Sequence, residues 1–391
     1  MDIEARIKRR QRRDGEHRLI LDYEALSPVS HATEPTDRGP VFERLLDHLD
    51  PVFEGKLPPN AYVHGPAGAG KSAVVTALFG HLEQLPTDAR AVIHTTTRAQ
   101  TPTSPAFVYV DTRATTSEFA FYHAILDNII EESVPEHGIG TETLRSRLHE
   151  TLSGRHSGVV VGVDHIDDPS GTDTTDLVDL FAGLPSKASW LAIGELDPSQ
   201  TEVTEYTARS IQVDRYRRQM LVDVVMTRAS DGLAQQALDH RSARTIADWA
   251  DGNAHDALAA LLIAAVHADS SGRDRIAETD VTAAIEEIPE PCVSLGRVLS
   301  LPANRQRVLR ELVDLGTDET ASVTKTTEAI AQQSAVDLSQ GTVKRFLYEL
   351  AEVGIVERVQ STTDTGQGRP PSRLEPRFPP TAFRQLYDLS Q

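Results

Sequence analysis

Apolar residues at Phe42, Leu45, Leu46 and Leu49 recur at helical spacing, and the segment reads as an amphipathic helix. Pro58-Pro59 blocks its continuation, and Ala61-Tyr62-Val63-His64 reads as a short buried strand. Helical spacing returns over 71–83, with Val74, Val75, Leu78 and Leu82 facing inward. AFVYV at 106–110 is a second strand, and helices are predicted near 118–132 and 141–152. GVVVGV at 158–163 is the unbroken apolar run of a parallel strand buried on both faces. Further strands are predicted at 190–193 and 210–213, and strands alternating with helices predict an α/β parallel sheet.

Beyond Tyr216 the strand pattern stops. Leu221, Val224, Val225 and Arg228 begin a helix, and 243–250, 253–267 and 279–288 continue at helical period, predicting an all-α domain closed by Ile288-Pro289-Glu290-Pro291. Helices at 304–315, 324–333 and 339–353 follow, the last closed by Gly354, with hairpin strands at 355–359 and 373–378 and a final helix at 382–389. Three helices and a two-stranded hairpin predict a winged helix-turn-helix. The expected division is a basic arm (1–18), an α/β domain (19–214), a helical domain (215–290) and a winged helix (298–391).

In the winged helix, the third helix is expected in the major groove, with Ser339, Gln340, Thr342, Lys344 and Arg345 offering donors to bases and phosphates. Val343, Phe346, Leu347 and Leu350 would face the core. Arg369, in Gly-Arg-Pro at the hairpin tip, suits a minor groove, and Arg373 follows on the returning strand.

The overall charge of −19, from 58 acidic and 39 basic residues among 391, opposes a nucleic-acid partner at first sight. It is unevenly placed: about +3 over 1–18, about −21 over 19–300 and about −1 over 301–391. Only six of the basic residues are Lys. Abundant carboxylates with scarce Lys suit a protein adapted to high salt, where a Debye length of about 3 Å makes net charge a poor guide to partners. No apolar run of membrane-spanning length is present, and the N-terminus lacks the apolar segment of a secretory signal. The lone Cys292 excludes an internal disulfide or a multi-thiolate zinc site. The expected location is cytoplasmic, on the nucleoid, with no membrane partner.

Gly65-Pro66-Ala67-Gly68-Ala69-Gly70-Lys71-Ser72 fits GxxxxGK[ST], between a predicted strand and a predicted helix continued by Ala73. The glycines let successive N–H groups turn toward phosphate oxygens, Lys71 neutralises the β- and γ-phosphates, Ser72 ligates Mg²⁺, and the helix N-terminus favours the anion. The expected ligand is ATP or ADP with Mg²⁺. Asp164, after VVVGV, is expected to hold Mg²⁺ through water.

The strings ILDYEALSP at 20–28 and DRGPVFERLLDHLDPVFEGKLPPNAYVHGPAGAGKSAVV at 37–75 resemble the archaeal relatives of the eukaryotic origin-recognition and cell-division-control ATPases, of the AAA+ class. The likeness continues into the winged helix and fits a divergent haloarchaeal-type paralogue. It implies an AAA+ P-loop domain, an all-α lid, nucleotide held between them, recognition of double-stranded origin DNA and recruitment of the replicative helicase.

The chain departs from that pattern at four places. His165 stands where Glu follows the Walker B Asp, which points to lost hydrolysis, with Asp167 and Asp168 as nearby substitutes. The sensor 1 position falls near Asp197, the sensor 2 Arg aligns with His255, and only Arg209 lies in the Arg-finger segment, out of place. A nucleotide-gated transcriptional regulator acting at promoters is the competing reading. An active AAA+ motor is a third, opposed by His165 and the missing finger.

Overall fold

The computed structural model describes residues 18–84, 105–153, 158–169, 174–360 and 372–390. Most of the basic arm and the hairpin tip with Arg369 lie outside the described residues. The chain forms two compact units, His31–Arg215 and a second made of Met1–Ser30 with Tyr216–Gln391.

A short helix, α1 (Tyr23–Leu26), belongs to the second unit. The first unit then runs α2 (Gly39–Leu49), β1 (Ala61–His64), α3 (Lys71–Gln84), β2 (Ala106–Asp111), α4 (Glu118–Ile129), α5 (Thr141–Ser153), β3 (Val159–Asp164), α6 (Thr174–Ala182), β4 (Ala188–Gly194) and β5 (Arg209–Gln212). The five strands are parallel, in the order β2-β3-β4-β1-β5. Alternation along the strands splits the core: Val159, Val161, Val163, Val108 and Val110 pack on one face, and Val160, Phe107, Leu191, Ile193 and Ile211 on the other. All of β3 is buried, so its continuous apolar run is satisfied from both sides. A Cβ on Gly162 would meet the Phe79 ring at 3.0 Å, so this glycine lets α3 lie close over β3.

The second unit adds α7 (Arg218–Gly232), α8 (His240–Ala250), α9 (Ala254–Ser270), α10 (Glu278–Glu287), α11 (Leu295–Leu299), α12 (Ala303–Leu312), α13 (Val323–Gln332), α14 (Gln340–Glu352), β6 (Val356–Gln360), β7 (Ser372–Pro376) and α15 (Pro380–Ser390). The antiparallel β6–β7 pair is the wing of the C-terminal helix-turn-helix. Central α9 is apolar all round, from Ala257 to Ala265, as expected of a helix enclosed by others.

Two features differ from the sequence reading. Residues 19–30, assigned above to the α/β domain, are stitched to the helical unit: Leu21 N–H donates to Gly232 O (2.8 Å), Ala234 N–H to Leu19 O (2.9 Å) and Leu19 N–H to the Asp269 carboxylate (3.0 Å). Leu19, Ile20 and Leu26 are buried in its core. The helical bundle and the winged helix also share one hydrophobic core. Val293 N–H donates to Arg377 O (2.6 Å) and Thr381 N–H to the Glu287 carboxylate (2.7 Å), tying bundle to winged helix across the Pro-rich connector.

Candidate functional site

The site grows from the carboxyl edge of the sheet, where β1, β3 and β4 end side by side. β1 runs into the phosphate-binding turn at Gly65, whose φ is +154°. A Cβ there would lie 2.0 Å from Val213 O, so only glycine lets the turn pass the end of β5. Gly68 and Gly70 are also left-handed, at φ +67° and +81°. Lys71 opens α3 and is buried. Its Nζ donates to Gly65 O (2.8 Å) and Pro66 O (3.0 Å), which hold the ammonium over the turn. Burial pulls the Lys71 pKa down, opposed by the negative charges of Glu195, Asp164 and Asp167.

Asp164 ends β3 with no exposed surface. One carboxylate oxygen accepts from its neighbour's backbone, His165 N–H (2.7 Å), and the other from the Tyr109 hydroxyl (2.5 Å). The Ser72 hydroxyl also hydrogen-bonds to it. Burial would push this carboxyl up, but the adjoining His165 and the hydrogen bonds from Ser72, Tyr109 and the His165 backbone hold it below the ordinary range. Burial, and then the charge of Asp164, push the Tyr109 phenol well up, so at neutral pH it is a donor. Tyr109 escaped the sequence reading because it looked like one more apolar strand residue. Ser72 and Asp164 thus stand together, and their hard oxygen donors fit Mg²⁺.

His165 follows Asp164 in a left-handed conformation (φ +59°), with Nε2 3.8 Å from the Asp164 carboxylate. Thr112 Oγ1 donates to the carbonyls of both Asp164 (2.9 Å) and His165 (2.7 Å), fixing the turn. Asp167 accepts on one oxygen from Glu195 N–H (2.5 Å) and Leu196 N–H (2.9 Å), so it braces the turn after β4. The residue following β4 is Glu195. The Asp197 carboxylate is taken up in capping the next turn, accepting from Ser199 N–H (3.0 Å) and Ser199 Oγ (2.6 Å). Arg209 lies exposed on edge strand β5.

His255, aligned above with sensor 2, is engaged within the second unit. Its Nε2 accepts from Leu295 N–H (3.0 Å), so its proton sits on Nδ1, facing the Asp256 carboxylate at 3.1 Å. This imidazole joins the helical bundle to the segment entering the winged helix.

On α14, Ser339 is the N-cap, accepting from Thr342 N–H (3.2 Å), and its Oγ lies 3.0 Å from Thr342 Oγ1. Gln340, Lys344 and Arg345 are exposed. Val343, Leu347 and Leu350 are buried as expected, but Phe346 is half-buried under the guanidinium groups of Arg305 and Arg345, 5.2 and 5.3 Å from its centroid. Arg373 pairs with Glu375 at 2.5 Å. Two residues missed from sequence complete the face: Tyr348 on α14 carries Lys344 at 6.0 Å and Arg358 of β6 at 5.0 Å over its ring. Helical spacing could have placed Tyr348 beside Lys344, but Arg358 is brought there only by the packing of the hairpin.

Residues 34–193, which carry the parallel sheet and the phosphate turn, match the family model described as AAA ATPase domain. Over most of its length the chain is similar to archaeal proteins named ORC1-type DNA replication protein. ORC1-type DNA replication protein 10 of Halobacterium salinarum is 22% identical over 374 residues, 88% of this chain and 86% of that one. The Thermococcus onnurineus ORC1-type DNA replication protein is 23% identical, covering 84% of this chain and 82% of that one. Among solved structures, Aeropyrum pernix ORC1 in complex with DNA matches with a TM-score of 0.61 at 21% identity, over 95% of this chain and 97% of that one. Pyrobaculum aerophilum Cdc6p gives 0.55 at 19% identity, over 95% and 99%. No helix among the described residues is long and apolar enough to cross a membrane.

Proposed function

We propose that this protein binds ATP or ADP in the turn from Gly65 to Ala73, and binds duplex DNA at replication origins through its winged helix. The supporting observation is an intact phosphate turn, with Lys71, Ser72 and Asp164 converging at its mouth, on a chain whose α14 exposes Lys344 and Arg345. Backbone N–H groups of the turn and the α3 N-terminus cradle the phosphates, and Lys71 neutralises them. Ser72 and Asp164 would hold Mg²⁺, which when bound neutralises phosphate oxygens. The Tyr109 hydroxyl keeps Asp164 ionised and aimed.

Nucleotide acts as a conformational ligand, with slow or absent hydrolysis. Water activation needs a base beside the terminal phosphate. His165 supplies an imidazole in a fixed left-handed turn, and Asp167 is committed to two backbone N–H groups. On DNA, Lys344 and Arg345 reach into the major groove, while Gln340, Arg369 and Arg373 add contacts from helix and wing. Helicase recruitment is the expected output.

Equilibrium binding of a fluorescent nucleotide should be lost in Lys71→Ala, and ATP turnover should stay far below that of active AAA+ enzymes. Turnover typical of such enzymes would sink the ligand role. Turnover gained in His165→Glu supports it. A genome-wide binding map should place the protein near origins, and scattered promoter peaks would favour the regulator instead.

A further inference from the structure

The arginines of the wing are held in two ways. Arg373 pairs with Glu375 at 2.5 Å and Arg377 with Glu357 at 2.7 Å, so each already meets a carboxylate. Arg358 has no carboxylate within ion-pairing distance among the described residues. Strand register puts it on the core side of the hairpin, where it pairs with buried Leu374 and shares a face with buried Val356. α14 meets that face with Tyr348. The half-buried ring packs on the core below and carries the Arg358 guanidinium 5.0 Å from its centroid. Arg358 Nη2 also donates to Ser372 Oγ at 3.2 Å. One turn earlier on α14, exposed Lys344 lies 6.0 Å from the same ring, at the outer limit of such an attraction. Arg358 is therefore the cation that the ring holds more firmly.

On the reading that the winged helix binds duplex DNA, we propose that Tyr348 is a positioning residue: its ring holds Arg358 toward the backbone phosphates beside the groove that α14 enters. A carboxylate could fix the guanidinium equally well, but it would cancel the charge that a phosphate needs. A ring face fixes the guanidinium and leaves its charge whole. Arginine has many rotamers, and ordering it in advance removes freedom that binding would otherwise have to quench. Lys344 brings a second full charge to the same junction of helix and wing. Tyr348 acts through Arg358, so an uncharged side chain controls a salt-dependent contact.

The test is fluorescence anisotropy of the full chain on a labelled duplex taken from a peak of its genome-wide binding map, across a salt series. Tyr348→Leu keeps an apolar side chain on the core and removes the ring face, and should weaken binding about fivefold. It should also flatten the plot of log affinity against log salt by about 0.9, the share of one phosphate contact, although no charge has been removed. Tyr348→Phe keeps the ring and should leave the slope unchanged and the affinity within about twofold. In an Arg358→Ala background, Tyr348→Leu should cost less than about a further twofold. Circular dichroism checks that each variant folds, and Tyr348→Met takes the place of Tyr348→Leu if the latter unfolds. A weaker affinity at an unchanged slope overturns the proposal, since it marks a structural role. So does an undiminished loss in the Arg358→Ala background. An equal loss in Tyr348→Phe also overturns it, by putting the hydroxyl itself on the DNA. A chain with no binding peaks would instead bring down the DNA reading.

Discussion

The hydrogen bond from Tyr109 to Asp164 is the most consequential contact that the sequence did not announce, and Tyr109→Phe isolates it. The substitution removes one oxygen and leaves the ring in place. A hydrogen bond to a buried charge is worth about 1.5–3 kcal/mol, against about 1 kcal/mol for a neutral pair. Asp164 retains Ser72 and the His165 N–H, so a loss of about 2 kcal/mol is expected at pH 7. In an Asp164→Asn background the phenol still donates, but to a neutral amide oxygen, so Tyr109→Phe should cost only about 1 kcal/mol there. The double-mutant cycle should therefore return a coupling of about 1 kcal/mol.

The chain has two tryptophans: Trp190 is buried in the α/β core, and Trp249 packs against the core of the helical unit. Urea unfolding followed by Trp190 fluorescence in a Trp249→Phe background reports the relevant unit alone. The pH dependence has a definite sign. The folded pKa of Asp164 lies below its ordinary value, so its contribution is present above about pH 4 and is lost as pH falls through the folded pKa. The Tyr109→Phe penalty should shrink along that same limb. A coupling near zero, or a penalty unchanged by Asp164→Asn, would refute the argument.

Gly65→Ala should cost at least about 3 kcal/mol in the same unfolding assay, since a Cβ 2.0 Å from Val213 O forces the turn or β5 to move. His255→Ala leaves the Leu295 N–H without its acceptor and should destabilise the helical unit by about 1–3 kcal/mol, read by Trp249 fluorescence, with nucleotide affinity unchanged. A fall in nucleotide affinity would restore His255 to a phosphate-sensing role. Arg358→Ala should weaken duplex binding severalfold on every sequence and reduce the salt slope by about one, measured by fluorescence anisotropy across a salt series.

The architecture was legible because its signals are local. Val159–Val163 needed no partner to be recognised as a doubly buried strand, and GxxxxGK[ST] carries its own geometry. Ser339 and Gly354 marked the ends of α14 through local capping chemistry alone. What escaped depends on residues distant in sequence. Tyr109 and Asp164 meet because β2 and β3 are neighbours, and Arg358 reaches Tyr348 because the hairpin folds back on α14. Asp197, the sensor 1 position that the resemblance implies, lies three residues beyond the end of β4 at Gly194. Its capping hydrogen bonds to Ser199 show why Asp is there. The assignment of 19–30 to the α/β domain followed chain order, whereas apolar Leu19, Ile20 and Leu26 are drawn to the larger helical core.

The charge that first opposed DNA binding has a structural counterpart in the winged helix. Arg305 pairs with Glu349 (2.7 Å), Arg310 with Asp388 (2.8 Å) and with Asp314, Arg377 with Glu357 (2.7 Å), and Arg384 with Asp314 (2.6 Å). These arginines are partly neutralised before any partner arrives. Lys344 and Arg358, flanking Tyr348, have no carboxylate within ion-pairing distance among the described residues. Affinity drawn from counterion release scales with the number of phosphates neutralised, so few uncommitted cations give a shallow salt dependence. DNA binding of the proposed kind would then rest on groove fit and hydrogen bonds to bases, which molar salt screens far less than long-range attraction. An acidic body with paired arginines around a small cationic face is consistent with DNA recognition in high salt.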